Sequence, residues 1–147
     1  DILAAVSLPD FDANHFGKAS PTQWKNIFAQ QVYEPGSTFK VFTFAQALDQ
    51  GLMRLEQKFD CTQPLTIGGF TINDYKPKKM WLTGEEVMLH SSNIGTARIA
   101  DLFPPGSQQA FLNKLHLLSE LDTGIGGEGA PLYPSSQQWK RLATISI

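Results

Sequence analysis

The stretch EPGSTFK, residues 34–40, leads from a loop into an apolar segment that ends at Gln50. No proline or glycine interrupts residues 37–50, and Gly51 is the residue type that favours the left-handed conformation just past a helix end. Apolar residues lie on most sides of this segment, whereas a surface helix confines them to one stripe. The pattern therefore predicts a central, largely buried helix over residues 37–50.

Ser37 and Lys40 stand three positions apart at the start of this helix. Residues at this spacing share one face, with Cβ atoms roughly 5–6 Å apart, so Lys40 can reach the Ser37 hydroxyl. Burial would lower the pKa of the lysine toward the range that a general base needs. Free N–H groups in the first turn would also favour an oxyanion. This S-x-x-K pattern predicts a serine nucleophile with a lysine base; a lysine that extends to solvent is the alternative.

Composition limits the possible functions. The 147 residues are 41% hydrophobic and 18% charged, which suffices for one globular domain or for part of a larger one. A net charge of −2 with scattered basic residues gives no reason to expect nucleic acid as a partner. The single cysteine, Cys61, excludes an internal disulfide. Because the chain lacks a starting methionine and opens on strand-like residues, we expect a piece whose export signal or anchor lies elsewhere.

Turn and cap residues divide the rest of the chain into short elements. In the first half we expect a strand over residues 1–8, mixed helical spacing over 24–32, a hairpin over 65–72 that turns at Gly68-Gly69, and an exposed loop over 73–79. A helix then begins at the T-x-x-E box of Thr83, and a second helix over 94–102 is capped by Asn93. After these we expect a helix from Ser107 with Leu118 on its apolar face, a flexible connection over 123–130, and a last helix from Gln137.

A second motif, Ser91-Ser92-Asn93, falls in the turn between two of the predicted helices. The Ser91 hydroxyl could pass a proton to a leaving group, and the Asn93 carboxamide could hold a lysine head or a substrate amide, while Ser92 would point elsewhere. Serine and asparagine are also ordinary turn and cap residues, so this motif alone is a weak indication of chemistry.

The two motifs in this order resemble those of the penicillin-recognising serine acyltransferases. EPGSTFK (34–40) and SSNIG (91–95) resemble the class B penicillin-binding proteins, especially the monofunctional septal transpeptidases of cell division. DILAAVSLP (1–9) is similar to the strand and exit that precede the active-site helix in that family. The resemblance implies an α+β, beta-lactamase-like fold. Residues 1–147 would be a partial transpeptidase (penicillin-binding) domain, mostly its helical part, truncated before the later sheet strands.

The resemblance also implies a role for each of four side chains. Ser37 would attack the D-Ala-D-Ala carbonyl of a peptidoglycan stem peptide to form an acyl-enzyme, and Lys40 would take its proton. Ser91 would relay a proton toward the leaving group, and Asn93 would orient the lysine and the substrate. The backbone N–H of Ser37 would form half of the oxyanion hole.

Beta-lactam antibiotics would acylate the same serine, and the resemblance implies no cofactor or metal. For the parent protein it implies a periplasmic catalytic domain anchored in the inner membrane, with cell-division and glycosyltransferase partners.

The family's third motif, K-[ST]-G, is missing: Thr83-Gly84 and Thr123-Gly124 follow Leu82 and Asp122 rather than lysine. In the family this motif lies on a strand that comes after the point where this chain ends, so we expect the chain alone to be a poor catalyst or none.

Three alternatives stay open. A beta-lactamase or a beta-lactam sensor would share the fold, but Ser91-Ser92-Asn93 does not suit a class D enzyme, and the E-x-x-L-N glutamate of class A is absent. A non-catalytic division scaffold is the alternative from another class, and the intact Ser37 and Lys40 argue against it.

Overall fold

A computed structural model describes residues 2–134 and divides this range into two compact units. One unit combines the chain up to Glu34 with His116–Tyr133, and the other is built from Pro35–Leu115. The helices in the described range are α1 (Pro21–Trp24), α2 (Ile27–Gln30), α3 (Lys40–Asp49), α4 (Gly84–Leu89), α5 (Asn93–Ala100) and α6 (Ser107–Lys114), with 3₁₀ segments at Ala13–Lys18 and Gly36–Phe39. The strands are β1 (Lys58–Asp60), β2 (Leu65–Ile67), β3 (Phe70–Ile72) and β4 (Trp81–Thr83).

The Pro35–Leu115 unit is an α+β arrangement, as predicted, with α5 in its interior. Six of the eight α5 residues are buried. Strand β1 pairs antiparallel with β4, with Phe59 opposite Leu82, and both side chains are buried. Strands β2 and β3 form a separate antiparallel pair. The core consists of Phe44, Ala47, Met53, Phe59, Cys61, Ile72, Leu82, Val87, Ile94, Ala97 and Ile99, and Leu65 and Ile67 of β2 are partly buried against it.

Helix α3 buries one face rather than most of its circumference. Lys40, Phe44 and Ala47 are buried on that face, whereas Val41 is 55% exposed and Leu48 is 42% exposed. The prediction of a helix buried on most sides is therefore wrong for the part of the chain that the structure describes. Helices α5 and α6 and the 3₁₀ segment Gly36–Phe39 contact α3, and Val41 and Leu48 remain exposed on another face of the helix. The α-helix also begins later than predicted, at Lys40, because residues 36–39 form a 3₁₀ turn.

Two local predictions in this unit are confirmed. The β2–β3 hairpin turns at Gly68 and Gly69, which both have positive φ (58° and 87°). Helix α4 begins with the predicted capping box: Thr83 Oγ1 accepts a hydrogen bond from the Glu86 N–H (3.2 Å), and the Thr83 N–H donates to Glu86 Oε2 (2.8 Å).

Other local predictions are wrong. Residues 2–8 form no strand, and Leu3 and Val6 are 95% and 78% exposed, because no described strand pairs with them. Strands β1 and β4 were not anticipated. Residues 24–32 yield only the end of α1 and the four residues of α2, and α6 ends at Lys114, before Leu118. Residues 123–130, in contrast, contain neither helix nor strand, which agrees with the predicted connection. The helix predicted from Gln137 lies outside the described residues.

The unit formed by the chain up to Glu34 and His116–Tyr133 contains short helices and an aromatic cluster. Phe16 stacks on Trp24 with ring centroids 5.0 Å apart and meets Phe11 edge-on at 5.7 Å. The Gly129 N–H donates to Ala29 O (2.8 Å), which joins the two parts of this unit. None of the four predicted site residues lies here. Across residues 2–134, every helix is too short or too polar to span a membrane.

Candidate active site

The amine of Lys40 is the centre of a buried polar cluster in the Pro35–Leu115 unit. The lysine begins α3 and is only 1% exposed, which confirms the predicted burial. Its Nζ donates hydrogen bonds to Ser91 O (2.7 Å), Ser91 Oγ (3.1 Å) and Asn93 Oδ1 (2.6 Å). An ammonium has three N–H donors, and each has an acceptor here. Two motifs that are far apart in the sequence therefore meet at one nitrogen atom.

Ser91 presents its acceptors from an uncommon backbone conformation. It follows the C-cap of α4 with φ 51°, in the left-handed region. The Ser91 N–H donates to Met88 O and the Ser92 N–H donates to Val87 O, both at 3.0 Å, which are the two bonds of a Schellman motif. Glycine is the usual residue at this place, because the left-handed region costs a residue with a Cβ about 1–2 kcal/mol. Serine occupies this place despite that cost, and both of its oxygens accept hydrogen bonds from Lys40.

The Asn93 carboxamide is held from its other end. Its Nδ2 donates to Asn73 O (2.8 Å), which leaves Oδ1 to accept from Lys40. Asn73 directly follows β3. The backbone carbonyl of this residue therefore determines which way the amide faces.

Ser92 and Asp74 stabilise the same turn through buried hydrogen bonds. Ser92 is the N-cap of α5, and its Oγ accepts from the Gly95 N–H (3.0 Å) and donates to the Asp74 carboxylate (2.9 Å to Oδ2 and 3.0 Å to Oδ1). The Ile94 N–H also donates to Asp74 Oδ1 (3.0 Å). Two sequence predictions are thereby corrected. Asn93 is not the cap of α5, because its side chain is used on Lys40, and the loop over residues 73–79 is not exposed throughout, because Asp74 is 9% exposed.

Burial lowers the pKa of Lys40, and the charge of Asp74 raises it by a smaller amount. The neutral amine is therefore accessible nearer to neutral pH than in a solvated lysine. The hydrogen-bond partners around Lys40 can accommodate both the ammonium and the neutral amine. In the neutral amine two N–H groups still serve Ser91 O and Asn93 Oδ1, and the lone pair can accept a proton from a hydroxyl. Lys40 is thus in the environment of a general base.

Ser37 lies at the edge of this cluster. It is exposed, within the 3₁₀ turn one turn before Lys40, and its carbonyl accepts a hydrogen bond from the Lys40 N–H. Gly36 enters this turn with φ 58°. In residues 2–134 no hydrogen bond joins the Ser37 hydroxyl to the Lys40 amine. The structure therefore brings Lys40, Ser91 and Asn93 together. The Ser37 hydroxyl is exposed, three residues before Lys40 in the sequence.

This combination of an exposed serine, a buried lysine one turn later and a serine–asparagine turn agrees with the family that matches the sequence. The chain belongs to the penicillin-binding protein transpeptidase domain family, whose model matches residues 1–146. The predicted family is confirmed.

Among the chain's relatives are two bacterial proteins of known name. It is 38% identical over 147 residues to the probable peptidoglycan D,D-transpeptidase FtsI of Caulobacter vibrioides, and 30% identical over 150 residues to the peptidoglycan D,D-transpeptidase FtsI of Escherichia coli K12. Each match covers 100% of this chain and 25% of the relative. The chain therefore spans about a quarter of these relatives' length.

Solved structures with the same fold support the predicted fold class. The apo transpeptidase domain of Burkholderia pseudomallei penicillin-binding protein 3 superposes with a TM-score of 0.75 at 28% identity, covering 83% of this chain and 38% of that one. A peptidoglycan glycosyltransferase from Burkholderia ambifaria gives a TM-score of 0.76 at 28% identity, covering 84% of this chain and 40% of that one.

Asn73 and Asp74 contact the site but are not among the residues that the sequence predicts for it. They follow the hairpin directly, where polar residues are ordinary loop residues. Only their residue type could have indicated this role, because the short side chains of Asn and Asp often form hydrogen bonds with backbone groups in turns.

Proposed function

We propose that the protein that carries this chain is a peptidoglycan D,D-transpeptidase, which crosslinks stem peptides through an acyl-enzyme on Ser37. The observation that supports this best is the Lys40 amine, buried one turn after Ser37 and held by Ser91 and Asn93. The names of the relatives, which are peptidoglycan D,D-transpeptidases, support the same reaction.

In the first step the Ser37 oxygen attacks the carbonyl carbon of the penultimate D-alanine in a stem peptide. The neutral Lys40 amine takes the hydroxyl proton as the new carbon–oxygen bond forms. The negative charge that develops on the carbonyl oxygen would be met by the backbone N–H of Ser37 at the start of the helix.

In the second step the carbon–nitrogen bond to the terminal D-alanine breaks. The departing amine needs a proton, and the Ser91 hydroxyl, 3.1 Å from Lys40 Nζ, can donate one while it takes the proton held by the lysine. The amine of a second stem peptide then attacks the ester. Its proton returns to Ser37 by the reverse route, and the serine is regenerated.

The proposal includes the setting of the parent protein. Beta-lactams, whose strained amide stands in for the D-Ala-D-Ala bond, would acylate Ser37. The domain would be periplasmic on a protein anchored in the inner membrane and would work in septal cell-wall synthesis with division and glycosyltransferase partners. This setting rests on the family resemblance of the two motifs.

The test is labelling of the full-length protein with a fluorescent penicillin, followed by peptide mass spectrometry. Stable adduct on Ser37, lost in Ser37→Ala and retained in the control Ser107→Ala, supports the proposal. A protein that stays unlabelled would instead be a scaffold, and one that releases hydrolysed drug rapidly would be a beta-lactamase.

A second assay tests the transfer itself, namely exchange of the terminal D-alanine of a synthetic stem pentapeptide for a labelled D-amino acid. An acylated protein without this exchange is a beta-lactam sensor. For the 147-residue chain alone, which lacks K-[ST]-G, we expect slow labelling or none.

A further inference from the structure

Asp74 is a buried acid that the proposed reaction steps do not use. It is 9% exposed and comes two residues after β3. Its carboxylate accepts hydrogen bonds from the Ser92 hydroxyl and from the Ile94 N–H, which lie on either side of Asn93. A carboxylate buried in this way needs such donors, because an unpaired buried charge is strongly unfavourable. Asp74 therefore holds the α4–α5 turn at two points, one side-chain hydroxyl and one backbone N–H.

The residue before Asp74 completes this support. Asn73 O accepts from Asn93 Nδ2 at 2.8 Å and so directs Asn93 Oδ1 toward the lysine. The segment 73–74 thus contacts the motif of residues 91–93 through the Asn93 side chain, the Ser92 side chain and the start of α5. Any shift of Asp74 would move the atoms that accept from Lys40.

The charge of Asp74 acts on Lys40 as well. The groups that contact the lysine amine from the turn, Ser91 and Asn93, carry no charge. Cys61, at the end of β1, lies 3.6 Å from Ser92 Oγ, and burial raises the pKa of its thiol, so it stays neutral. Asp74 is the acid whose charge raises the pKa of Lys40 against the effect of burial.

We propose that Asp74 is a positioning residue for the Lys40 site: it fixes the Ser91–Asn93 turn through Ser92 and Ile94, and it places a carboxylate next to that turn. The catalytic consequence of this role rests on the proposed function. The charge of Asp74 also acts on the lysine, whatever reaction the site performs.

Two substitutions separate the two parts of this role. Asp74→Asn keeps the shape and one acceptor oxygen for the Ser92 and Ile94 donors, and it removes the charge. Asp74→Ala removes the acceptors too and leaves buried donors unpaired. Asp60→Asn is the matched control, because Asp60 is half-buried, accepts from Thr62 and lies next to Cys61 in the chain, but does not act on Lys40.

The experiment is the pH dependence of penicillin acylation of the full-length protein. Loss of the Asp74 charge lowers the pKa of Lys40, so the neutral base persists to lower pH. We expect the acid limb of the profile to move to lower pH in Asp74→Asn and to stay in place in Asp60→Asn. Asp74→Ala should acylate on the order of tenfold more slowly than Asp74→Asn, since the turn loses its anchor.

A direct titration of Lys40 by NMR, in protein labelled with ¹³C at the lysine ε-carbon, does not depend on activity. A lower midpoint in Asp74→Asn than in the parent and in Asp60→Asn supports the proposal. An unchanged midpoint, or an Asp74→Ala variant that acylates as fast as the parent, overturns it. If penicillin does not label the parent, the proposed function fails and the Lys40 midpoint alone decides the role of Asp74.

Discussion

Lys40 Nζ lies 2.6 Å from Asn93 Oδ1, although the two residues are 53 positions apart in the chain. The contact joins the start of α3 to the start of α5. The three acceptors around the ammonium are neutral oxygens, so hydrogen bonds rather than a direct ion pair hold this buried charge. Such an arrangement leaves the proton removable, whereas a carboxylate in contact would hold it.

The buried ammonium predicts an alkaline rise in stability. Burial lowers the pKa of Lys40 in the folded state below its ordinary value of about 10.4. Between these two pKa values the unfolded chain binds more protons than the folded one, so the free energy of unfolding increases with pH. Below both pKa values the folded and unfolded states are protonated alike, and the full cost of the buried charge is present. We expect Lys40→Met to abolish this rise.

The measurement is urea unfolding from neutral pH to about pH 10. Lys58→Met is the matched control, since Lys58 is an exposed lysine of the same unit. Other groups titrate in this range, so the quantity compared is the difference between each variant and the parent. A Lys40→Met difference that does not vary with pH would contradict a lowered lysine pKa.

Local signals explain which parts of this fold were predictable. The hairpin turn at Gly68-Gly69 and the box of Thr83 and Glu86 depend on residues within a few positions of each other, and both are present as predicted. For the hairpin and the capping box, the physical cause of the structure lies within a few consecutive residues. The serine–lysine and serine–asparagine motifs are each short as well, but Lys40 and Asn93 are 53 positions apart, and only the family resemblance placed the two motifs in one site.

Contacts between distant residues explain what was not predictable. Asp74 became buried because Ser92, 18 positions later, donates to it. The choice of Ser92 over Asn93 as the cap of α5 follows from the Lys40 contact of Asn93, since both residue types cap helices well. Residues 2–8 have the composition of a strand, but a strand needs a partner, and none is found in the described part of the chain.

The left-handed backbone of Ser91 predicts opposite effects on stability and activity. Ser91→Gly removes the strain of a Cβ at φ 51°, whereas Ser91→Ala keeps it. We expect the glycine variant to be more stable than the alanine variant by about 1 kcal/mol. Both should lose acylation or transfer activity, because both lack the hydroxyl 3.1 Å from Lys40.

Lys79→Gly is the control for this pair. Lys79 is exposed and also has positive φ (55°), but it makes no contact with Lys40. It should gain stability with unchanged penicillin acylation. Equal stability of the Ser91 glycine and alanine variants, measured by urea unfolding, would show that Ser91 is not strained.

Loss of either helix cap is predicted to lower stability, but only one of the two losses should affect activity. Ser92→Ala and Thr83→Ala each remove the hydroxyl that accepts an N–H at the start of a helix, which costs about 1 kcal/mol. Ser92→Ala should cost more than Thr83→Ala, because it also removes a donor from the buried Asp74 carboxylate. Ser92 also connects Asp74 to the turn that holds Lys40, whereas Thr83 caps α4 at its far end. We therefore expect slower acylation in Ser92→Ala alone. Equal acylation rates in the two variants, measured under conditions where both are fully folded, would show that Ser92 does not support the site.

Gly95 provides the sharpest prediction on packing. A Cβ at this position in α5 would lie 2.5 Å from Val87 Cγ2 and 2.6 Å from Val87 Cγ1. Val87 is fully buried in α4, so it has no free space to move into. Alanine is intrinsically better in a helix than glycine by about 1 kcal/mol, but overpacking a filled core costs about 1–3 kcal/mol. We expect Gly95→Ala to lower the free energy of unfolding, and the displaced α4–α5 turn to slow acylation.

The double variant Gly95→Ala/Val87→Ala identifies the cause of that loss. If the clash is responsible, adding Gly95→Ala to Val87→Ala should cost less than adding it to the parent, because the two methyl groups are gone and only the Val87 Cβ, 3.1 Å away, stays in tight contact. Gly17→Ala is the control for the glycine-to-alanine change itself, since no atom lies within 4 Å of its added Cβ. Urea unfolding of the four proteins measures the coupling. Additive effects of the two substitutions would mean that α4 and α5 are not in the close contact that positions Ser91 and Asn93 on Lys40.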